Sequence, residues 1–181
     1  PYLDFNIIGD NDWNLQSREV EPGMVIAMKN SSRFSVSFSN RFEHFADSTS
    51  IVGVELAPGD YNFNSASVSY FSDGSKPLSG LLSFTHGNFF DGSRTTLAGF
   101  VSYRPSVRLF IQANFQRNAL ELGGNEFEAN LWGARVNYTH STKLFLSGFL
   151  QYNQASEQLI TNVRLNLIHA PLSDVFLVYQ E

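Results

Sequence analysis

Residues 106–117 read Ser106-Val107-Arg108-Leu109-Phe110-Ile111-Gln112-Ala113-Asn114-Phe115-Gln116-Arg117. Val107, Leu109, Ile111, Ala113 and Phe115 fall on one parity, and Arg108, Gln112, Asn114 and Gln116 on the other. A side-chain period of two is that of an extended strand with one apolar and one polar face. The same alternation continues almost unbroken to residue 169. Runs of about ten residues exceed the five to six typical of soluble strands and match what a strand needs to cross a bilayer.

The parity extends outward from this stretch. Phe34, Val36 and Phe38 alternate with Ser35, Ser37 and Ser39, and Leu78, Gly80, Leu82 and Phe84 with Ser79, Ser83 and Thr85. Trp132, Ala134, Val136 and Tyr138 oppose Gly133, Arg135 and Asn137. Leu144, Leu146, Leu150 and Tyr152 oppose Ser147, Gln151 and Asn153, and Val163, Leu165 and Leu167 oppose Asn162, Arg164 and Asn166. A soluble sandwich would alternate too, with its apolar face inward. Two details favour a membrane. The polar faces carry Ser, Asn, Gln and Arg rather than Lys and Glu, which suits a hydrated lumen. The apolar faces often end on Tyr, Phe or Trp, as interface girdles do.

Break signals divide the chain into eleven strands, at roughly 2–9, 15–29, 33–45, 61–72, 78–87, 94–104, 106–117, 126–139, 143–153, 158–169 and 175–181. No helix is needed. The connections Lys29 to Ser32, Asp73 to Pro77, Arg104 to Ser106, His140 to Thr142 and Ala170 to Ser173 are tight. Those at 46–60, Gly87 to Ser93, Asn118 to Asn125 and Asn153 to Glu157 are longer. Outer-membrane barrels show this contrast between short periplasmic turns and longer outer loops. The predicted fold is a single domain over 1–181, all-β, an antiparallel up-and-down transmembrane β-barrel. Bacterial barrels usually have an even strand count, so eleven strands imply at least one more, expected after Glu181.

Composition agrees. The 181 residues include 17 Phe and 7 Tyr, an aromatic content of 14% that suits two interface girdles. No apolar run is long enough for a transmembrane helix. A net charge of −5 with 12 Lys plus Arg argues against a nucleic-acid partner. The absence of cysteine excludes disulfides and thiolate metal sites.

The chemistry-bearing residues are few. His44, His86, His140 and His169 lie at strand ends or turns without metal-ligand spacing, and interfacial roles fit them best. An outer-membrane hydrolase could be assembled from Ser, His and Asn, but no flanking motif marks a nucleophile, so no catalytic residue, metal or cofactor is assigned. The arginines say more. Arg33, Arg41, Arg108, Arg135 and Arg164 share the polar parity with Gln112, Asn114 and Asn162. Facing lipid, each arginine would cost about 2–4 kcal/mol near the midplane. These eight residues are therefore expected to face a lumen, bracing it through Glu43, Glu128 or amides, or lining a solute path. Gly123-Gly124 is a hairpin turn, since no helix follows, and Pro58-Gly59-Asp60 closes the longest loop.

At these same turns the sequence resembles the functionally uncharacterised C-terminal β-barrel domain of large Gram-negative outer-membrane proteins, whose N-terminal part looks like a family-9 carbohydrate-binding module. The matching stretches include Leu15 to Glu19, Pro58 to Tyr61, Lys76 to Gly80, Asn88 to Thr96, Tyr103 to Ser106, Gln151 to Asn153, Asn162 to Leu165 and Asp174 to Tyr179, in order over nearly the whole chain. Two features depart from the family. His169-Ala170-Pro171 stands where an aromatic and a basic residue precede the proline, and the family continues past the Tyr179 position into a final strand. The resemblance implies a bacterial outer-membrane location, a lipid partner, further membrane-protein subunits as partners, and a contextual link to glycans or small solutes. It supplies no catalytic residues. The sequence reading is thus an anchor or narrow pore linked to glycan capture or uptake. Its alternatives are a soluble all-β binding module and an outer-membrane hydrolase.

Overall fold

The computed structural model describes residues 1–170 and 173–180. Thirteen strands follow one another: β1 (Tyr2–Gly9), β2 (Leu15–Ala27), β3 (Arg33–Phe45), β4 (Thr49–Ile51), β5 (Val54–Leu56), β6 (Gly59–Phe71), β7 (Leu78–Phe89), β8 (Gly92–Ser106), β9 (Leu109–Leu122), β10 (Asn125–Ser141), β11 (Leu144–Asn153), β12 (Gln158–Ala170) and β13 (Ser173–Gln180). Eleven of them form one antiparallel meander in the order β1-β2-β3-β6-β7-β8-β9-β10-β11-β12-β13, and β4 and β5 make a separate hairpin. Every strand of the large sheet pairs with its neighbour in sequence, apart from the excursion through β4–β5. The expected all-β, up-and-down architecture is therefore present. The closed barrel is not: β1 pairs with β2 and β13 with β12, and no ladder among the described residues joins β1 to β13.

The register puts the two parities on opposite faces across the whole sheet. One row of directly paired residues runs Ile26, Phe34, Tyr70, Leu82, Gly99, Phe115, Trp132, Tyr152 and Leu159. On the other face a parallel row runs Arg33, Phe71, Leu81, Phe100, Asn114, Gly133, Gln151 and Ile160. Burial is inverted relative to a soluble protein. Along β7 the apolar-face residues Leu78, Leu82 and Phe84 are exposed, whereas Ser79, Ser83 and Thr85 opposite are half-buried. The sheet thus curls toward its polar face and presents its apolar face outward. Its accessible surface is 12305 Å², against about 8,800 Å² for a compact monomer of this size. Among the described residues the one other sheet is the two-stranded β4–β5 hairpin, so they do not form a sandwich of two large sheets.

The buried core lies at one end of the sheet. Leu56, Phe63 and Leu122 are its buried apolar side chains among the described residues. The β4–β5 hairpin, in a segment expected as an open loop, folds over the ends of the strands. A methyl group on Gly123, in the β9–β10 turn, would come within 2.8 Å of Val54 Cγ1. Gly123 and Gly124 both have positive φ (56° and 72°), the backbone of a two-residue type I′ hairpin turn, which glycine adopts without steric cost. Beside this hairpin, Phe90 gathers Phe45, Tyr61, Phe63 and Phe89 at ring-centroid separations of 4.7–5.6 Å.

Several sequence expectations need correction. The connections at Gly87 to Ser93 and Asn118 to Asn125 are not longer loops: β7–β8 turns over residues 90–91 and β9–β10 over Gly123–Gly124. The strand predicted from residue 106 begins at Leu109, because Val107 and Arg108 form the β8–β9 turn. In that turn the Arg108 amide donates to Ser106 Oγ at 3.3 Å. Arg108 is therefore a turn residue and not a strand residue. The predicted turn at Ala170 to Ser173 includes Pro171 and Leu172, which lie outside the described residues.

Candidate functional site

The outer, apolar face carries a band of finite height. On β11 it extends from Leu144 to Tyr152, roughly 26 Å along the strand at about 3.3 Å per residue. At the tilt of about 40° usual in membrane barrels this is about 20 Å along the normal, close to the roughly 25 Å band of such barrels. Tyr70, Tyr103 and Tyr138 mark the tight-turn side of the band, and Trp132 and Tyr152 mark the loop side. Beyond Trp132 the same face turns polar. Arg18 Nη2 donates to Asn40 Oδ1 at 3.1 Å and Asn40 Nδ2 to Asn64 Oδ1 at 2.7 Å. Arg117 pairs with Glu128 at 3.0 Å, and Asn130 Nδ2 donates both to Glu128 and to Gln154. The long strands β8, β9 and β10 thus continue past the apolar band into a hydrogen-bonded polar belt.

The inner face is polar but not uniformly so. A cleft of about 260 Å³ runs across β2, β3, β6, β7 and β8, with Glu19, Arg41, Ser39, Ser65, Thr85 and Arg94 in its walls. Arg41 Nη2 lies 2.6 Å from Glu19 Oε2, and Ser39 Oγ donates to Glu19 Oε1 at 2.9 Å. The Arg94 guanidinium carbon stands 4.9 Å from the centre of the Phe89 ring. Hydroxyl ladders link the strands: Ser67 Oγ is 2.6 Å from Thr85 Oγ1, and Ser69 Oγ donates to Ser35 Oγ at 3.2 Å.

The predicted polar-face residues separate into groups. Arg41 joins the Glu19 cleft, and Glu43, proposed as an arginine partner, instead accepts from Ser17 Oγ at 3.1 Å. Glu128 does pair with an arginine, but with Arg117 on the outer face. Gln112 Nε2 donates to Ser102 Oγ at 3.0 Å, and Asn114 lies against the backbone of Gly133, where a Cβ would meet Asn114 Oδ1 at 2.5 Å. Arg135, Asn162 and Arg164 come together in a second cavity on β10–β12. Arg33 sits at the tight-turn end of β3, paired with Phe71 and Ala27. Missed by the sequence reading were the phenylalanines on this face, among them Phe71, Phe100, Phe110, Phe145 and Phe149. Phe110, which interrupts the parity between Leu109 and Ile111, is the kind of signal that could have found them.

The histidines stay apart. His44 Nδ1 lies 2.7 Å from Asp60 Oδ1, His86 Nδ1 2.8 Å from Thr95 Oγ1, and His140 Nδ1 3.4 Å from the Tyr138 hydroxyl. The His44–Asp60 pair has the acid and base of a hydrolase triad, but among the described residues no serine is hydrogen-bonded to that ring. Among the described residues no three His, Asp or Glu side chains gather as a metal site. No family model, curated protein or solved structure matches the chain.

Proposed function

We propose that this chain is an integral β-barrel domain of a bacterial outer membrane, acting as an anchor or narrow pore. The observation that carries this reading is the outward apolar band, bounded by aromatic residues and by a polar belt, on a sheet whose polar face is turned inward. In water such a surface would be a large exposed apolar patch. In a bilayer it is the surface that lipid requires. Closure is part of the proposal. Leu3, Phe5 and Ile7 on β1 and Val175 and Leu177 on β13 lie on the apolar face and are exposed. A free edge within hydrocarbon leaves backbone groups unsatisfied at several kcal/mol each. We infer that in the membrane these edges pair with a further strand, giving an even-numbered barrel.

The resemblance to the outer-membrane barrel-domain family points the same way and adds a contextual link to glycans or small solutes. A soluble binding module would need a cover for the apolar face, and a hydrolase would need a nucleophile at His44. Neither is favoured by a specific contact. The test is the purified chain's need for detergent: the barrel reading expects detergent or lipid to be required for a folded, dispersed protein. A folded monomer in detergent-free buffer would remove it.

A further inference from the structure

We propose that Arg135 and Arg164 form a binding site for small oxyanions, carboxylate or phosphate, on the inner face of β10–β12. This deepens the pore reading by naming the solute class, and it rests on that reading for its place in a lumen. The two arginines sit diagonally across β11. Arg135 pairs with Phe149, Phe149 with Asn162, and Ser147 pairs with both Asn137 and Arg164. These six residues line one cavity of about 290 Å³.

The charges here are uncompensated. Arg41 and Arg117 each have a carboxylate within 3.0 Å, but among the described residues no ion pair reaches Arg135 or Arg164. The Arg135 guanidinium instead lies 5.5 Å from the centre of the Phe149 ring, which leaves its hydrogen-bonding edge free. The inner-face acids of β1–β3 are Asp4, Glu19, Glu21 and Glu43, several strands away. Both arginines lie six residues from the C-terminal ends of their strands, at Ser141 and Ala170. Two exposed guanidinium forks with free donor edges suit bidentate capture of a carboxylate or phosphate, and Asn137, Asn162 and Ser147 add neutral donors. A solute crossing such a lumen would meet a cationic station on one wall.

Inorganic phosphate titrated into the detergent-solubilised chain, followed by calorimetry, tests the site. Wild type should bind saturably at one site. The double variant Arg135→Gln/Arg164→Gln should bind at least about tenfold more weakly, as expected for lost charge-assisted hydrogen bonds. Each single variant should fall between, which keeps the test readable if the double variant misfolds. Arg33→Gln, on the same face but outside the cavity, should leave affinity unchanged. Equal affinity in the double variant, or no saturable binding by wild type, overturns the site. The two readings fail separately. A chain that needs detergent but binds no phosphate keeps the barrel and loses the site. A chain folded in plain buffer loses the barrel, and the titration is then run in that buffer.

Discussion

Arg41 and Glu19 occupy directly paired positions on β3 and β2, with Arg41 Nη2 2.6 Å from Glu19 Oε2 and Ser39 donating to the same carboxylate. Both side chains are about a third exposed, so water screens the pair. Its role is to cancel charge on the inner face of the sheet while tying β2 to β3.

Removing one partner should therefore cost little. Arg41→Gln is expected to lower unfolding free energy by about 1 kcal/mol or less, and a double-mutant cycle with Glu19→Gln should return a coupling in that range. Urea unfolding in lipid vesicles measures it. A coupling near 4 kcal/mol would mean that the pair is shut away from water, in contrast to its exposure here.

The two faces predict opposite responses to charge. Leu146 lies within the apolar band, paired with Tyr138 and Leu165, whereas Asn114 lies on the inner face. Leu146→Arg should impair folding into vesicles by about 2–4 kcal/mol, and Asn114→Arg should cost clearly less. Equal tolerance of both would reject the assignment of the faces.

Phe90 gives an inversion of the usual order of substitutions. It has φ of 53° in the β7–β8 turn while its ring fills the cluster of Phe45, Tyr61, Phe63 and Phe89. A non-glycine residue there stores strain, and the cluster holds it in place. Phe90→Ala loses the ring but keeps the strain, at a cost of about 2–3 kcal/mol. Phe90→Gly also loses the ring but relieves the backbone, and should be more stable than the alanine variant by about 1 kcal/mol. The reverse order in denaturant melts would show that the turn is unstrained.

How much of this was legible in the sequence follows from where hydrophobic contrast exists. The strand at 33–45 is read to the residue, and those at 143–153 and 158–169 to within one, because Phe34, Val36, Leu144, Leu165 and their polar neighbours alternate cleanly. Contrast reverses past the apolar band. In Arg117 to Glu128 the apolar Leu120, Leu122 and Phe127 fall on the face of Asn114 and Gln116 while Arg117, Glu121, Glu126 and Glu128 fall on the other, so the pattern of the preceding residues breaks, β9 and β10 are longer than predicted, and the connection around Gly123-Gly124 is read as too long. The β4–β5 hairpin escaped for a different reason. Its three-residue strands are too short to show a period, and Leu56 is buried by tertiary contact. The Arg135–Arg164 cavity could be anticipated only in part. Parity puts both on one face, but the absence of an acid beside them depends on register across β11.

Asp10 offers a pH-dependent reporter in the β1–β2 turn, outside the membrane band. The Asn14 side chain and backbone, and then the Asp12 amide, donate to its carboxylate and hold its pKa below the ordinary aspartate value. A depressed folded-state pKa means that this turn's stabilisation is present above the unfolded value of about 3.9 and is lost as pH falls through the folded value. Carboxyl NMR titration should find the midpoint below that of a free aspartate, and Asn14→Ala should move it upward. A midpoint unmoved by that substitution would exclude the side-chain bond as the main cause.

The two tryptophans separate the bilayer reading from its rivals most directly. Trp13 stands in the β1–β2 turn, 95% exposed and beyond the end of the sheet, whereas Trp132 lies on the apolar face at the loop-side border of the band, against Phe115. Indole rings at such borders sit at the level of lipid headgroups. In vesicles, Trp13→Phe leaves Trp132 as the sole emitter, and its fluorescence should be blue-shifted and quenched by lipids brominated along the acyl chain. Trp132→Phe leaves Trp13, which should emit as in water and be quenched by iodide instead. Both substitutions keep an aromatic ring, so folding should survive each. If Trp132 were quenched by iodide and untouched by brominated lipid, its face would be in water, and the outward apolar band would have to meet another protein surface instead of lipid.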